Sequence, residues 1–392
     1  MDFRLLNANL LPQAADLWDY CFEKKGDPFY EWYFAEYCLK QNTVIGGFDG
    51  DKLACMLHLN PYAVRLRGRE IRLPYIVGVA TAPEYRGQHL TKPLLETAFT
   101  VLRAQGAAFA LLMPIDPAIY TPYGFSYCYY RHNYKLPLAM LKNLPAVQNI
   151  KIVRYTDITD GVEAAEAVYK NCMQSLNGMA VRSTEKWQEL LNGYKAEKVM
   201  FAAAVQNGQT TGYMLYSVDG GVFKVQEMLT LNHEAQTALL RYAAGHLSAA
   251  QTLEWLAEEG NLAHLDFNNA GYCGSLKPFM MARCLNIRKA LDVLPVPQEL
   301  EGEAVLLITD KFLPLNNGLL KIKAQNGVLS HASTLDDEEI IMDVTAFTQL
   351  YFGAFSFDEL VRAGKIKVNN PQKCGFMQAL FAKCRNYINE YY

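Results

Sequence analysis

Six residues, Arg86-Gly87-Gln88-His89-Leu90-Thr91, stand between an apolar run, Val77-Gly78-Val79-Ala80-Thr81, and a segment opened by Lys92-Pro93. Proline fits the first turn of a helix, where amide hydrogens lack intrahelical partners. It therefore puts Arg86 to Lys92 at or just before a helix N-terminus. Free N–H groups and the positive end of the helix dipole make such a place an anion site. The pattern is close to a loop that grips a pyrophosphate. His89 stands where such loops carry a second glycine, and Thr91 replaces their final small residue. Glycine lets the backbone approach phosphate closely. Histidine brings a Cβ and an imidazole: with its N–H turned inward the ring lies outside or donates to phosphate, and otherwise it blocks the site.

A second group of candidates is Asp27-Pro28-Phe29-Tyr30-Glu31-Trp32-Tyr33-Phe34. Aromatic rings beside acids suit a cationic amine by cation–π attraction and ion pairing. The same spacing also serves an amphipathic helix with aromatic core contacts. The nine cysteines are odd in number and form no CxxC, which fits reduced, buried thiols in a cytoplasmic protein rather than disulfides or a metal site. A net charge of −3 argues against nucleic acid as a main partner. The densest basic run, Arg65 to Arg72, reads as a solvated hairpin face, and Leu335 to Glu339 as a solvated turn. No signal peptide and no run of about 18 apolar residues is evident, so no membrane span is expected.

These residues need a scaffold. Apolar runs flank Asp49-Gly50 and Asn207-Gly208, pairs that favour two-residue hairpin turns. Met56-Leu57 and Met214-Leu215 follow at matching distances. A strand then comes in each copy (Leu73 to Thr81, Val222 to Leu231), followed by a helix (about Lys92 to Gln105, about His233 to Ser248). This is a duplicated α/β unit. A third, α+β part begins with strands at 304–310 and 318–333, the latter turning at Asn326-Gly327. Helices are expected at Asp343 to Phe352, Ser356 to Ala363 and Cys374 to Ile388, with Ser356 and Glu359 as a capping box. Proline-bearing stretches at Leu136 to Ile150 and Asp292 to Glu303 divide the chain into 1–145, 146–292 and 293–392.

The strand, the RGQHLT loop and the helix resemble motif A of the GNAT acetyltransferases, which binds acetyl-CoA. Downstream, Ile119-Tyr120-Thr121-Pro122-Tyr123-Gly124-Phe125 is similar to that family's fYxxxGF segment. Over its whole length the chain resembles the enhanced-intracellular-survival (Eis) branch. That resemblance implies two tandem GNAT-like domains with mixed central sheets, the second without cofactor, because Thr230 to Leu240 has neither arginine nor glycine. A small sterol-carrier-like α+β domain follows. It implies acetyl-CoA against Val79, Ala80, Thr81, Arg86, Gly87, Gln88, His89, Leu90, Thr91 and Lys92. Tyr120 is implied as general acid and the C-terminal carboxylate of Tyr392 as general base. Asp27, Trp32 and Glu390 are implied in an acceptor site for a polyamine-like or aminoglycoside-like amine or a protein lysine. No metal is implied, and the assembly is a homo-oligomer, a hexamer. The alternative is a non-enzymatic acyl-CoA- or lipid-binding protein, or a scaffold.

Overall fold

Asx-Gly pairs and alternating apolar runs fold as antiparallel strands, and the first strands gather in the N-terminal part of the chain. The computed structural model describes residues 1–38, 41–267 and 274–391. They form two compact units. The first comprises Met1–Tyr129, Phe279–Asn386 and the tail from Glu390; the second comprises Tyr130–Pro278 and Tyr387–Asn389. Along the first unit run β1 (Asp2–Leu5), α1 (Leu11–Cys21), α2 (Pro28–Trp32), β2 (Thr43–Asp49), β3 (Lys52–Asn60), β4 (Ala63–Leu66), β5 (Arg69–Arg72), β6 (Tyr75–Thr81), α3 (Thr91–Ala104), β7 (Phe109–Leu112) and the start of β8 (Ser126–Pro137). The second continues with β9 (Ile150–Tyr155), α4 (Val162–Cys172), β10 (Met179–Ala180), α5 (Thr184–Ala196), β11 (Met200–Gln206), β12 (Gln209–Asp219), β13 (Val222–Thr230), α6 (His233–Ala244), β14 (Thr252–Glu258) and the start of β15 (Ser275–Cys284). The first unit then resumes with α7 (Ile287–Asp292), β16 (Gly302–Thr309), β17 (Gly318–Gln325), β18 (Val328–Ser333), β19 (Ile340–Asp343), α8 (Val344–Phe352), α9 (Phe357–Arg362), β20 (Ile366–Val368) and α10 (Cys374–Leu380).

The expected duplication is present in the strand order. In the first unit the order is β1-β2-β3-β6-β7-β15; in the second, β9-β11-β12-β13-β14-β8. Each has three antiparallel pairs, then one parallel pair (β6 with β7, β13 with β14) bridged by a helix, then an antiparallel sixth strand. Parallel neighbours need such a crossover. In the first unit, α3 lays Leu94, Leu95, Ala98, Phe99 and Leu102 on one sheet face. On the other face, α1, α2 and the π-helical turn after α2 pack Trp18, Tyr30 and Tyr33 against Val44, Phe48 and Met56. The third part is a separate sheet, β18-β17-β16-β19-β20, covered by α8 to α10. The Ser356–Glu359 capping box is formed at the start of α9.

Several expectations change. The stretch Leu136 to Ile150 is not a linker: β8 runs to Pro137, and Leu138, Leu141 and Leu144 are buried in the second unit's core. The last helix stops at Leu380 rather than Ile388. Groups that would continue it are bonded elsewhere: Arg67 Nη2 donates to the Ala382 carbonyl (2.9 Å) and Cys384 N–H to the Gly353 carbonyl (2.9 Å). The first hairpin turns at Gly50-Asp51, because Asp49 pairs with Lys52. Asn207-Gly208 and Asn326-Gly327 turn where expected, with positive φ at both residues. Arg65 to Arg72 is a hairpin, yet Arg67 is no solvated side chain. It also donates to the carbonyls of Tyr351 (2.6 Å) and Leu350 (3.0 Å), capping the end of α8. In the expected solvated turn, Glu339 accepts from Val305 N–H (2.9 Å) and Asn370 Nδ2 (2.7 Å). Eight cysteines are free thiols, and Cys273 lies outside the described residues. Among those residues no helix is long and apolar enough to cross a membrane.

Candidate active site

The strand that leads into the anion loop is broken at Gly78. Met56 pairs with Ala80 and His58 with Val77, so an extra residue on β6 makes a β-bulge. Gly78 has φ +58°, and a Cβ there would lie 2.3 Å from Trp18 Cζ3. Only glycine meets both demands. After the first residues of β6 the sheet opens. β6 pairs with β7 only at Tyr75–Leu111 and Ile76–Leu112, so Val79, Ala80 and Thr81 leave β7 behind while Ala80 and Thr81 stay paired to β3.

A turn at Pro83–Tyr85 follows, then the loop. Among the described residues, the backbone N–H groups of Gly87, Gln88, His89, Leu90 and Thr91 make no hydrogen bond. The next, Lys92 N–H, bonds to the His89 carbonyl (3.3 Å). Five consecutive donors thus precede the first turn of α3. His89 adopts φ +56°, beside Gly87 at +77°. It takes the left-handed conformation a glycine would take, and its side chain is exposed. The ring is not packed into the core, and alternating left- and right-handed residues (His89, then Leu90 at φ −67°, ψ −20°) make a concave row of N–H groups suited to an anion. Arg86 Nε donates to the Thr81 carbonyl (3.2 Å), tying the loop to the end of β6.

Tyr120 sits in the core layer shared by α3 and the sheet, with Leu94, Leu95 and Phe125, and with Val79 and Leu90 at its edge. The structure thus brings Tyr120, Val79 and the loop residue Leu90 into one cluster. Burial pushes the Tyr120 phenol up to about 12. Asp27 lies on the exposed turn before α2, accepting from Lys24 N–H (3.0 Å). Trp32 is half-buried against Phe29 (centroids 5.8 Å).

The last described residues are not a frayed end. Asn386, Tyr387, Ile388, Asn389 and Glu390 are all buried. In the first unit, Tyr62 Oη donates to Glu390 Oε2 (3.3 Å) and Tyr75 Oη to the Tyr391 carbonyl (3.0 Å). Phe279 packs on the Tyr391 ring (5.5 Å). Tyr392 lies outside the described residues. In the second unit, Arg131 Nη1 donates to the Ile388 carbonyl (2.7 Å) and Asn389 Oδ1 (3.0 Å). Tyr387 Oη donates to Glu227 (3.1 Å), itself paired with Arg182 at 2.9 Å.

That second unit keeps the bulge but has lost the loop. Its register slips beside Leu215, next to Met214-Leu215 as in the first copy. Asn389 Nδ2 caps the bulge carbonyl of Gln226 (3.2 Å). β13 passes almost directly into α6, whose N-cap Asn232 accepts from Ala235 N–H (2.8 Å), so one of the helix's orphan donors is already bonded.

Sequence reading missed several groups. Tyr62 and Tyr75 are single tyrosines among 24 with no local signal. His58 stands alone in the apolar run of β3. It is fully buried beside Trp18 (5.1 Å), with Nδ1 3.0 Å from Tyr33 Oη. Tyr33 Oη also accepts from Asn42 Nδ2 (2.8 Å) and donates to Asn60 Oδ1 (3.3 Å). Among the described residues His58 Nε2, Asn60 Nδ2 and Asn42 Oδ1 have no partner. Burial lowers the His58 imidazole to about 3, so it is neutral.

A mixed sheet opened at a bulge, followed by an N–H cradle at a helix N-terminus, defines an acyltransferase of the GNAT type. The comparisons agree. Acetyltransferase (GNAT) domain families match residues 2–128 and 178–284, and the sterol carrier protein domain family matches 287–389. An uncharacterized N-acetyltransferase of Streptomyces avermitilis is 21% identical over 353 residues, 83% of each chain. N-acetyltransferase Eis of Mycobacterium bovis BCG is 24% identical over 328 residues, 78% of this chain and 76% of that one. In fold, a probable N-acyltransferase of unknown function from Enterococcus faecalis superposes with TM-score 0.89 at 21% identity, covering 100% of this chain and 99% of that one. The chain belongs to the Eis-like GNAT N-acetyltransferases, with two GNAT domains and a C-terminal sterol carrier protein domain.

Proposed function

We propose that the chain moves the acetyl group of acetyl-CoA to a primary amine in its first GNAT domain. The observation that carries this reading is the row of five unpaired N–H groups from Gly87 to Thr91, at the open end of the β6–β7 pair. In this reading Arg86, Gly87, Gln88, His89, Leu90, Thr91 and Lys92 hold the pyrophosphate. The backbone of Val79, Ala80 and Thr81 lies along the thioester arm. Bound there, acetyl-CoA supplies an acyl carbon on a thiolate leaving group.

An alkyl ammonium has a pKa near 10 and no lone pair, so the acceptor must lose a proton first. The amine nitrogen then bonds to the acyl carbon, and the carbon–sulfur bond breaks. Tyr120, which keeps its proton through the physiological range, donates to the departing sulfur. Where Tyr392 ends the polypeptide, its α-carboxylate is the base that takes the amine proton, and the burial of Glu390 in the first unit supports that assignment. Asp27, Trp32 and Glu390 attract the acceptor's positive charge. Polyamine-like and aminoglycoside-like molecules and protein lysines all fit that chemistry. With this function goes assembly as a homo-oligomer, a hexamer.

The test is release of CoA thiol from acetyl-CoA with a panel of amines. Turnover with at least one amine is expected, lost when residues are added after Tyr392. Undiminished turnover in both the extended protein and Tyr120→Phe would sink the mechanism.

A further inference from the structure

The fYxxxGF-like segment carries Tyr120 on two short 3-10 turns, Pro117–Ile119 and Thr121–Tyr123, closed by Gly124. Gly124 has φ +81°, and a Cβ there would lie 1.9 Å from Arg283 Nη1 and 2.8 Å from its Cζ. The guanidinium of Arg283, on β15, thus occupies the space a side chain at Gly124 would need. It is fully buried and packs over the Phe99 ring of α3 at 5.6 Å. Its Nη2 donates to both oxygens of Asp310, at 2.9 and 2.7 Å. Asp310 in turn accepts from Phe312 N–H (3.0 Å), Leu313 N–H (2.9 Å) and Asn316 Nδ2 (2.9 Å). The loop so held returns to the Tyr120 segment, where Phe312 meets Tyr123 (4.9 Å) and Phe99 (5.7 Å). Beyond Gly124, Ser126 Oγ donates to the Thr345 carbonyl (3.2 Å) and Gln349 Nε2 to the Tyr127 carbonyl (3.2 Å).

A buried ion pair is weak evidence for stability, because desolvation offsets much of its attraction. Its better-attested use is to fix one arrangement among several. Here Arg283 touches three things at once: the helix after the anion loop, the turn that bears Tyr120, and a carboxylate of the sterol-carrier-like part. We propose that Arg283, held by Asp310, is a positioning residue for Tyr120, and that the third part of the chain serves the transfer reaction by bracing that turn. The proposal rests on the reading of Tyr120 as the proton donor.

The experiment is a double-mutant cycle on the full chain, using acetyl-CoA and the best amine of the panel. The charge-neutral pair Arg283→Met/Asp310→Asn leaves no lone buried charge. It is expected to lower kcat at least 10-fold with KM for acetyl-CoA within about 2-fold, since a misplacement of about 1 Å costs up to 100-fold. Arg283→Lys, which keeps the charge without the planar fork, is expected to fall between. In a Tyr120→Phe background the same pair should cost nothing further, because contributions through one group are not additive. A further loss of equal size in that background overturns the positioning role, as does wild-type kcat in a folded double variant. Should the double variant not fold, Arg283→Lys carries the same cycle. Full activity of Tyr120→Phe alone instead overturns the reading of Tyr120, so the two failures are distinguishable.

Discussion

At the scale of single residues, His89 is informative because it holds the left-handed conformation at a loop position where glycine is the expected residue. A residue with a Cβ pays roughly 1–2 kcal/mol in the left-handed region, while glycine costs about 0.4–1 kcal/mol through the unfolded chain. His89→Gly should therefore be neutral or stabilising by up to about 1.6 kcal/mol in denaturant unfolding. Thermal stabilisation by CoA should persist in the variant, since the N–H row remains. His58 makes a different prediction. Its folded value near 3 lies below the ordinary 6.5, so the unfolded chain binds a proton that the folded chain refuses. The stability it contributes is complete above pH 6.5 and is lost as pH falls from 6.5 toward 3, at most roughly 5 kcal/mol. His58→Gln should flatten that part of the stability curve measured by denaturant midpoints. RGQHLT was legible as a loop at a helix N-terminus because that geometry depends on backbone and local order. His58 was not, because Tyr33 and Cys38, which face its Nδ1, meet it only through the fold.

At the scale of elements, the bulge on β6 does two things at once. It shifts the register with β3 by one residue and stands where β6 parts from β7. Gly78→Ala must strain φ +58° and push the Trp18 ring, with a Cβ at 2.3 Å. A loss of about 2–4 kcal/mol is expected in unfolding measurements. Because Gly78 lies at the bulge beyond which Val79, Ala80 and Thr81 leave β7, weaker binding of acetyl-CoA should accompany the loss. Unchanged stability would mean that Trp18 moves freely. Hairpins and capped helices were legible here, since a turn pair or the Ser356–Glu359 box is a local signal. The end of α10 was not: its sequence suits a helix, but Ala382, Cys384 and Asn386 bond to residues far along the chain, and tertiary contacts override local preference.

At the scale of the molecule, duplication left two copies of one sheet with different uses. The first keeps an open cradle. The second keeps the bulge but covers its Gln226 carbonyl with Asn389 and its Glu227 with Tyr387. The tail's last described residues, Glu390 and Tyr391, belong to the first unit. Two truncations separate these roles. Removing Glu390 to Tyr392 leaves Tyr387–Asn389 in place. It forgoes the bonds from Tyr62 and Tyr75, together about 1–3 kcal/mol, and the packing of Phe279 on Tyr391, and should abolish turnover while unfolding changes less than in the shorter chain. Removing everything from Tyr387 also strips the Ile388 carbonyl and Asn389 from Arg131, a buried cation, and Tyr387 from Glu227. A buried charge left short of partners costs about 3 kcal/mol or more, so this shorter chain should unfold at clearly lower denaturant. Equal stability of the two truncated chains would show that the second unit does not depend on the tail. Full turnover in the longer one would remove the tail from the chemistry altogether.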